Sequence, residues 1–162
     1  MVNDRIKALD LEGLISQSVS EVFDTMLSMQ VEAADRDSER KLEGNRIVGS
    51  VSFAGEVMGN LCIHVGKDFA RLMAAAMLEM AVEDVEEEEE VIDVVGEMSN
   101  MIGGGLKSRF CDSGMPCELS IPSITDGNDF KVSAMNWEQH ESILFRYQEH
   151  KALVEIFVRA GN

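Results

Sequence analysis

Residues 91–107 read VIDVVGEMSNMIGGGLK, and the spacing within this stretch decides the architecture. Val91, Val94, Val95, Met98, Met101 and Ile102 recur at three- and four-residue steps, the mark of one apolar helix face. The glutamates at 86–90 stand just before it. Carboxylates at a helix N-terminus are favoured by the unpaired N–H groups there, each by a few tenths of a kcal/mol. A helix over 86–110 is predicted, its acidic start a solvated surface rather than a metal site. Removing the apolar stripe leaves Asp93, Glu97, Asn100 and Gly104 on the opposite side, and a spacing of three makes Glu97 and Asn100 neighbours. Gly103, Gly104 and Gly105 follow, each costing a helix about 1 kcal/mol relative to alanine. Either the helix ends there, or a neighbouring backbone comes too close for a side chain. A carboxylate and an amide beside bare backbone form a flat surface on which something large could dock.

Working outward, an amphipathic helix is predicted over 10–29, with Leu14, Ile15, Val19, Val22, Phe23 and Met26 as its stripe. Residues 35–41 read as a solvated connection. Two strands follow over 47–53 and 59–65, with Ala54-Gly55-Glu56 as the turn of a hairpin and Leu61, Ile63 and Val65 sharing a face. A second helix is predicted over 67–80. Beyond the long helix lie an extended segment over 117–125 broken by Pro122, another over 130–135, and a last hairpin from 142–147 and 152–158. Helix and hairpin thus occur twice. Glu21-Val22-Phe23-Asp24 aligns with Glu97-Met98-Ser99-Asn100, and Leu61-Cys62-Ile63-His64-Val65 with Val154-Glu155-Ile156-Phe157-Val158. The offsets differ, so the second half needs an insertion before its hairpin. The expected fold is α+β, with long helices packed on an antiparallel sheet in pseudo-duplicated halves.

Composition bounds the function. A chain of 162 residues, 45% of them apolar, is enough for one domain over 1–162 with a core that needs no disulfide or structural metal. Cys62, Cys111 and Cys117 form no C-x-x-C pair, and His64, His140 and His150 lack ligand spacing, so no metal site is expected. The apolar run at 72–78 is far too short to span a membrane, and residues 1–5 do not read as a signal peptide; a cytoplasmic location is expected. Lys and Arg number 14 against 30 Asp and Glu, a net charge of −16. Such a chain repels nucleic-acid phosphates and anionic lipid, and it repels free organophosphates unless a metal or cationic partner carries the phosphate in.

Gly96-Glu97-Met98-Ser99-Asn100-Met101-Ile102-Gly103-Gly104-Gly105-Leu106-Lys107 resembles the signature helix of the CheC/CheX/FliY phosphatases of bacterial chemotaxis. Glu21-Val22-Phe23-Asp24-Thr25-Met26-Leu27 is similar to the first helix of CheX. Residues 49–55 through 59–63 resemble its first hairpin, and residues 120–127 resemble the Ser/Pro/Gly segment after its catalytic helix. The resemblance implies a CheC-like fold and a phosphatase that acts on a phosphorylated CheY-like response regulator. Asn100 would orient the attacking water and Glu97 would pair with the receiver's lysine. An amide both donates and accepts hydrogen bonds but is too weakly basic to remove a proton, so its part is positioning. No cofactor of the chain's own is implied, because the receiver supplies Mg²⁺. A homodimer is implied as well. Two positions depart from the family: Glu21-x-x-Asp24 lacks the amide, so the first-half copy reads as inactive, and Gly105 stands where relatives commonly carry Asn.

Two other classes remain open. One is a non-catalytic CheX-like binding module for a receiver or another motility or signalling protein. The other is an unrelated acidic scaffold whose helix face is merely solvated. Retention of both Glu97 and Asn100 favours the enzyme, since a pure adaptor has little need of the amide.

Overall fold

The computed structural model describes residues 2–34, 42, 44–128 and 136–161. Among them are helices α1 (Val2–Lys7), α2 (Leu11–Leu27), α3 (Lys67–Leu78) and α4 (Glu88–Asp112). The strands are β1 (Glu32–Ala33), β2 (Asn45–Gly55), β3 (Val57–Gly66), β4 (Cys117–Leu119), β5 (Ser123–Asn128), β6 (Gln139–Tyr147) and β7 (His150–Ala160). The expected connection over 35–41 and extended segment over 130–135 lie outside the described residues.

The strands form one seven-stranded sheet in the order β1-β6-β7-β3-β2-β4, with β5 also paired to β2. Every pairing is antiparallel. The α+β expectation holds, and the two halves are visible in it. Strands β3 and β7 run side by side at the centre, Leu61 opposite Ile156, and each is flanked by its own hairpin partner. The helices exchange sides: α2, from the first half, packs over β6, and α4, from the second, packs over β2. The insertion required before the second hairpin contains β4 and β5, which line the outer edge of β2 on either side of Pro122. At that break Ser120 takes over the ladder, its N–H donating to the Ser52 carbonyl and its hydroxyl accepting from the Ser52 N–H.

Local chemistry explains most element boundaries. Asp10 caps α2 by accepting from the Gly13 N–H at 3.1 Å. The helix stops at Ser28, whose left-handed backbone lets its N–H turn back to Asp24. Its buried line is Leu11, Ile15, Val19, Phe23 and Leu27, so Met26, expected in the stripe, lies exposed one position aside. Helix α3 ends at Leu78, two residues early, where Glu79 turns left-handed. The second hairpin closes through Gln148 and Glu149, Gln148 again left-handed at φ 55°. The short α1 and β1 carry too few residues for a period to show. A side-chain hydrogen bond from Gln139 to the Ile6 carbonyl ties α1 to the sheet.

On the helical face of the sheet, Ile47, Val51, Leu61, Ile63, Val154 and Ile156 meet Val19, Phe23, Met73, Val95, Met98 and Ile102 in one core. Helix α4 is seated on β2 at backbone distance. Its sheet-facing residues Ser99 and Gly103 are small and buried, and Gly49 of β2 lies beneath them. A Cβ on Gly49 would overlap Ser99 Oγ and come within 3.0 Å of the Val95 carbonyl, and one on Gly103 would lie 2.7 Å from Val51 Cγ2. Ser99 satisfies its own buried hydroxyl by donating to the Val95 carbonyl at 2.7 Å. Farther along, Phe110 meets Phe53 edge-on, with ring centroids 5.4 Å apart.

The opposite face of the sheet carries Cys62, His64 and Glu155, all with restricted exposure. Glu155 Oε1 lies 2.9 Å from His64 Nε2, close but not aligned as a hydrogen bond, and its other oxygen lies 3.2 Å from His140 Nε2. Burial alone would raise the Glu155 pKa; the close approach of His64 and then the hydrogen bond and charge of His140 outweigh it and hold the carboxyl below its usual range. Burial, reinforced by the Glu155 charge, pushes the Cys62 thiol up to about 12, so it remains an inert thiol.

Two outcomes follow from this packing. Because the folded pKa of Glu155 is lowered, its stabilising effect is complete above the unfolded carboxyl pKa and disappears as pH falls through the folded value. Wild type should therefore exceed Glu155→Gln in urea midpoint at pH 7, with the gap closing below about pH 4, the ordinary carboxyl range; a gap constant with pH would contradict the assignment. Gly49→Ala should cost about 1–3 kcal/mol of unfolding free energy, the usual result of forcing a methyl into a packed contact, and an unchanged denaturation midpoint would show that α4 is not seated this tightly.

Candidate active face on helix α4

Pressing Ser99 and Gly103 onto the sheet fixes what α4 presents to the outside. Glu97 is exposed and Asn100 half-buried, one helical turn apart on the outward side. Neither side chain makes a hydrogen bond or ion pair with the described residues. Asp93 is exposed on the same side one turn earlier, and Gly104 follows one turn later. The buried residues Val91, Val94, Val95, Met98 and Ile102 match the expected stripe, with Met101 at its margin. The helix runs unbroken through Gly103, Gly104 and Gly105 to Asp112, so close approach accounts for Gly103 and no helix end is involved.

Cations near this face are already engaged. Lys107 pairs with Glu118 at 3.4 Å, and Arg109 reaches Glu21 of α2 at 3.3 Å while donating to Ser18 Oγ at 3.0 Å. The Arg109 contacts bind α2 to α4 beside Gly105. They also occupy the first-half copy of the motif: Glu21 is held by Arg109, and Asp24 accepts from Gln30. Residue spacing did not single out Ser99, Gly49 or Arg109. A small residue every few positions on the buried side of the helix (Gly96, Ser99, Gly103) was the available signal.

Two grooves among the described residues lie away from this face. A groove of about 360 Å³ lies between Lys67, Arg71, Val85 and Glu88, and another of about 310 Å³ between Met58, Asn60, Trp137 and Phe157; neither is lined by Glu97 or Asn100. Enzymes that act on small molecules enclose them. A helix face whose carboxylate and amide make no bond with the described residues leaves both groups available to another molecule. Among the described residues no group of three His, Cys, Asp or Glu could hold a metal ion, and no helix is long and apolar enough to cross a membrane.

Comparison with known proteins agrees with this architecture. Chemotaxis protein CheX from Vibrio vulnificus superposes with a TM-score of 0.79 at 22% identity, covering 93% of this chain and 97% of that one. A CheC-like superfamily protein from Shewanella sp. PV-4 gives 0.79 at 23% identity, with 94% and 99% covered. A chain of the CheX–CheY–BeF3–Mg²⁺ complex from Borrelia burgdorferi gives 0.72 at 20%, with 93% and 98% covered. At these identities the likeness is one of fold. No curated protein matches the sequence. The profile of the family described as chemotaxis phosphatase CheX matches residues 47–146, a span that holds the β2–β3 hairpin, all of α4 and most of β6. The chain therefore belongs to the CheX family of chemotaxis phosphatases.

Proposed function

We propose that the protein hydrolyses the aspartyl phosphate of a phosphorylated CheY-like receiver, with the α4 ridge entering the receiver's active site. The observation that carries this reading is the joint projection of Glu97 and Asn100 from one outward helix face, both uncommitted among the described residues. Family membership and the Borrelia burgdorferi relative, whose structure contains CheY, BeF3 and Mg²⁺, support the same partner. In the reaction a water oxygen bonds to phosphorus as the bond to the aspartyl oxygen breaks, releasing inorganic phosphate and a free carboxylate. Asn100 holds that water in line through its amide, and Glu97 pairs with the receiver's lysine. Mg²⁺ arrives with the receiver and neutralises the phosphoryl oxygens, so an acidic protein of net charge −16 need not attract a bare anion. The same reading has residues 1–162 acting as one domain, in the cytoplasm, as a homodimer.

Receivers labelled on their aspartate and mixed with the protein distinguish this from a binding module, which would capture the receiver without speeding loss of label. Asn100→Ala should slow the accelerated reaction by about 100-fold, a typical loss when a reacting group is misplaced, with no fall in thermal midpoint; unchanged turnover would reject the role given to the amide. Glu97→Ala should raise KM by about tenfold or more, the worth of one charge-assisted hydrogen bond, and equal KM values would reject the lysine pairing.

A further inference from the structure

Three consecutive glycines in the middle of α4 have three different surroundings. Gly103 is required by the sheet, since its Cβ would lie 2.7 Å from Val51 and 3.2 Å from Leu119. Gly105 faces α2, where a Cβ would meet Arg109 and Ser18 at ordinary contact distances of 3.4 and 3.5 Å. Gly104 has nothing within 4 Å of the place a Cβ would occupy. Its φ is not positive, and it lies well inside a helix of 25 residues, so it serves neither as a turn nor as a cap. Glycine weakens a helix relative to alanine, and here no contact with the described residues demands it.

Gly104 stands four residues after Asn100 and seven after Glu97, on the same side of the helix. Cα–Cβ bonds tilt toward a helix's N-terminus, so a side chain at 104 would lean over the turn that carries Asn100. Resting on the proposed receiver phosphatase activity, we infer that Gly104 is a specificity-determining residue. Its missing side chain leaves the clearance in which the rim of the receiver's active site seats, and so sets how deeply Asn100 reaches toward the phosphoryl group. A side chain there holds the receiver away without altering the amide itself.

The test uses Gly104→Ala and Gly104→Leu, with Gly103→Ala as a contrast, in the full chain against an aspartyl-phosphorylated CheY-like receiver. Both Gly104 variants should keep or raise the thermal midpoint, whereas Gly103→Ala should lower it. The value of kcat/KM should fall a few-fold for Gly104→Ala and about tenfold or more for Gly104→Leu, the range expected from overpacking one contact. The loss should appear in KM and, because Asn100 is held back, in kcat as well, and affinity for the beryllofluoride-activated receiver should drop in parallel with the rise in KM. Wild-type acceleration with Gly104→Leu equally fast would overturn the inference alone. So would a fall in midpoint matching that of Gly103→Ala. Failure of the wild-type protein to accelerate loss of phosphate would overturn the phosphatase reading and this inference with it.

Discussion

The close seating of α4 on β2 is the constraint from which the rest of the structure follows. Gly49 on the strand and Ser99 and Gly103 on the helix leave no room for a methyl between the two backbones. That contact fixes the rotation of α4 about its axis. Once the 96–99–103 line is turned to the sheet, Asp93, Glu97, Asn100 and Gly104 are turned to the outside by geometry alone. Packing in protein interiors is dense enough that such a register has few alternatives. The salt bridge from Arg109 to Glu21 then holds α2 alongside, in a position where its own acidic pair is occupied.

A second consequence concerns charge. The protein is strongly acidic, its outward α4 face carries Asp93 and Glu97, and the described cations beside that face, Lys107 and Arg109, are spent on internal pairs. Such a surface is ill suited to recognising free phosphate. It suits a partner that brings phosphate, metal and lysine together, because negative charge then steers toward the lysine and metal rather than the phosphoryl oxygens. On the proposed function, the chain has little to supply beyond shape and one well-placed amide, in keeping with phosphoryl transfer as a reaction governed by positioning and electrostatics.

Much of this was legible in the residues. The long helix and both hairpins have strong periods, whereas spacing alone does not mark Glu97 and Asn100 as a site; the resemblance of residues 96–107 to a family helix singles them out. Where reading and structure part, the reason is physical. In α2, Leu14, Val22 and Met26 satisfy a helical period as well as Leu11 and Leu27 do, and only the tertiary contact with β6 and α4 selects which line is buried. The two-residue β1 and six-residue α1 are held by pairing with β6 and by packing on β7, contacts that leave no local pattern. The burial of His64 and Glu155 depends on cross-strand neighbours distant in sequence. The three glycines looked alike in one dimension; their different roles appear only when their surroundings are known.

The most direct measurement is two-dimensional NMR of the isotopically labelled protein titrated with a beryllofluoride-activated receiver. The account predicts that the side-chain NH₂ signals of Asn100 and the backbone amides around 97–104 move together, while those of β3 and β7 at the sheet centre stay in place. Perturbation concentrated on the opposite sheet face around Trp137 and Phe157, with the Asn100 amide undisturbed, would contradict it.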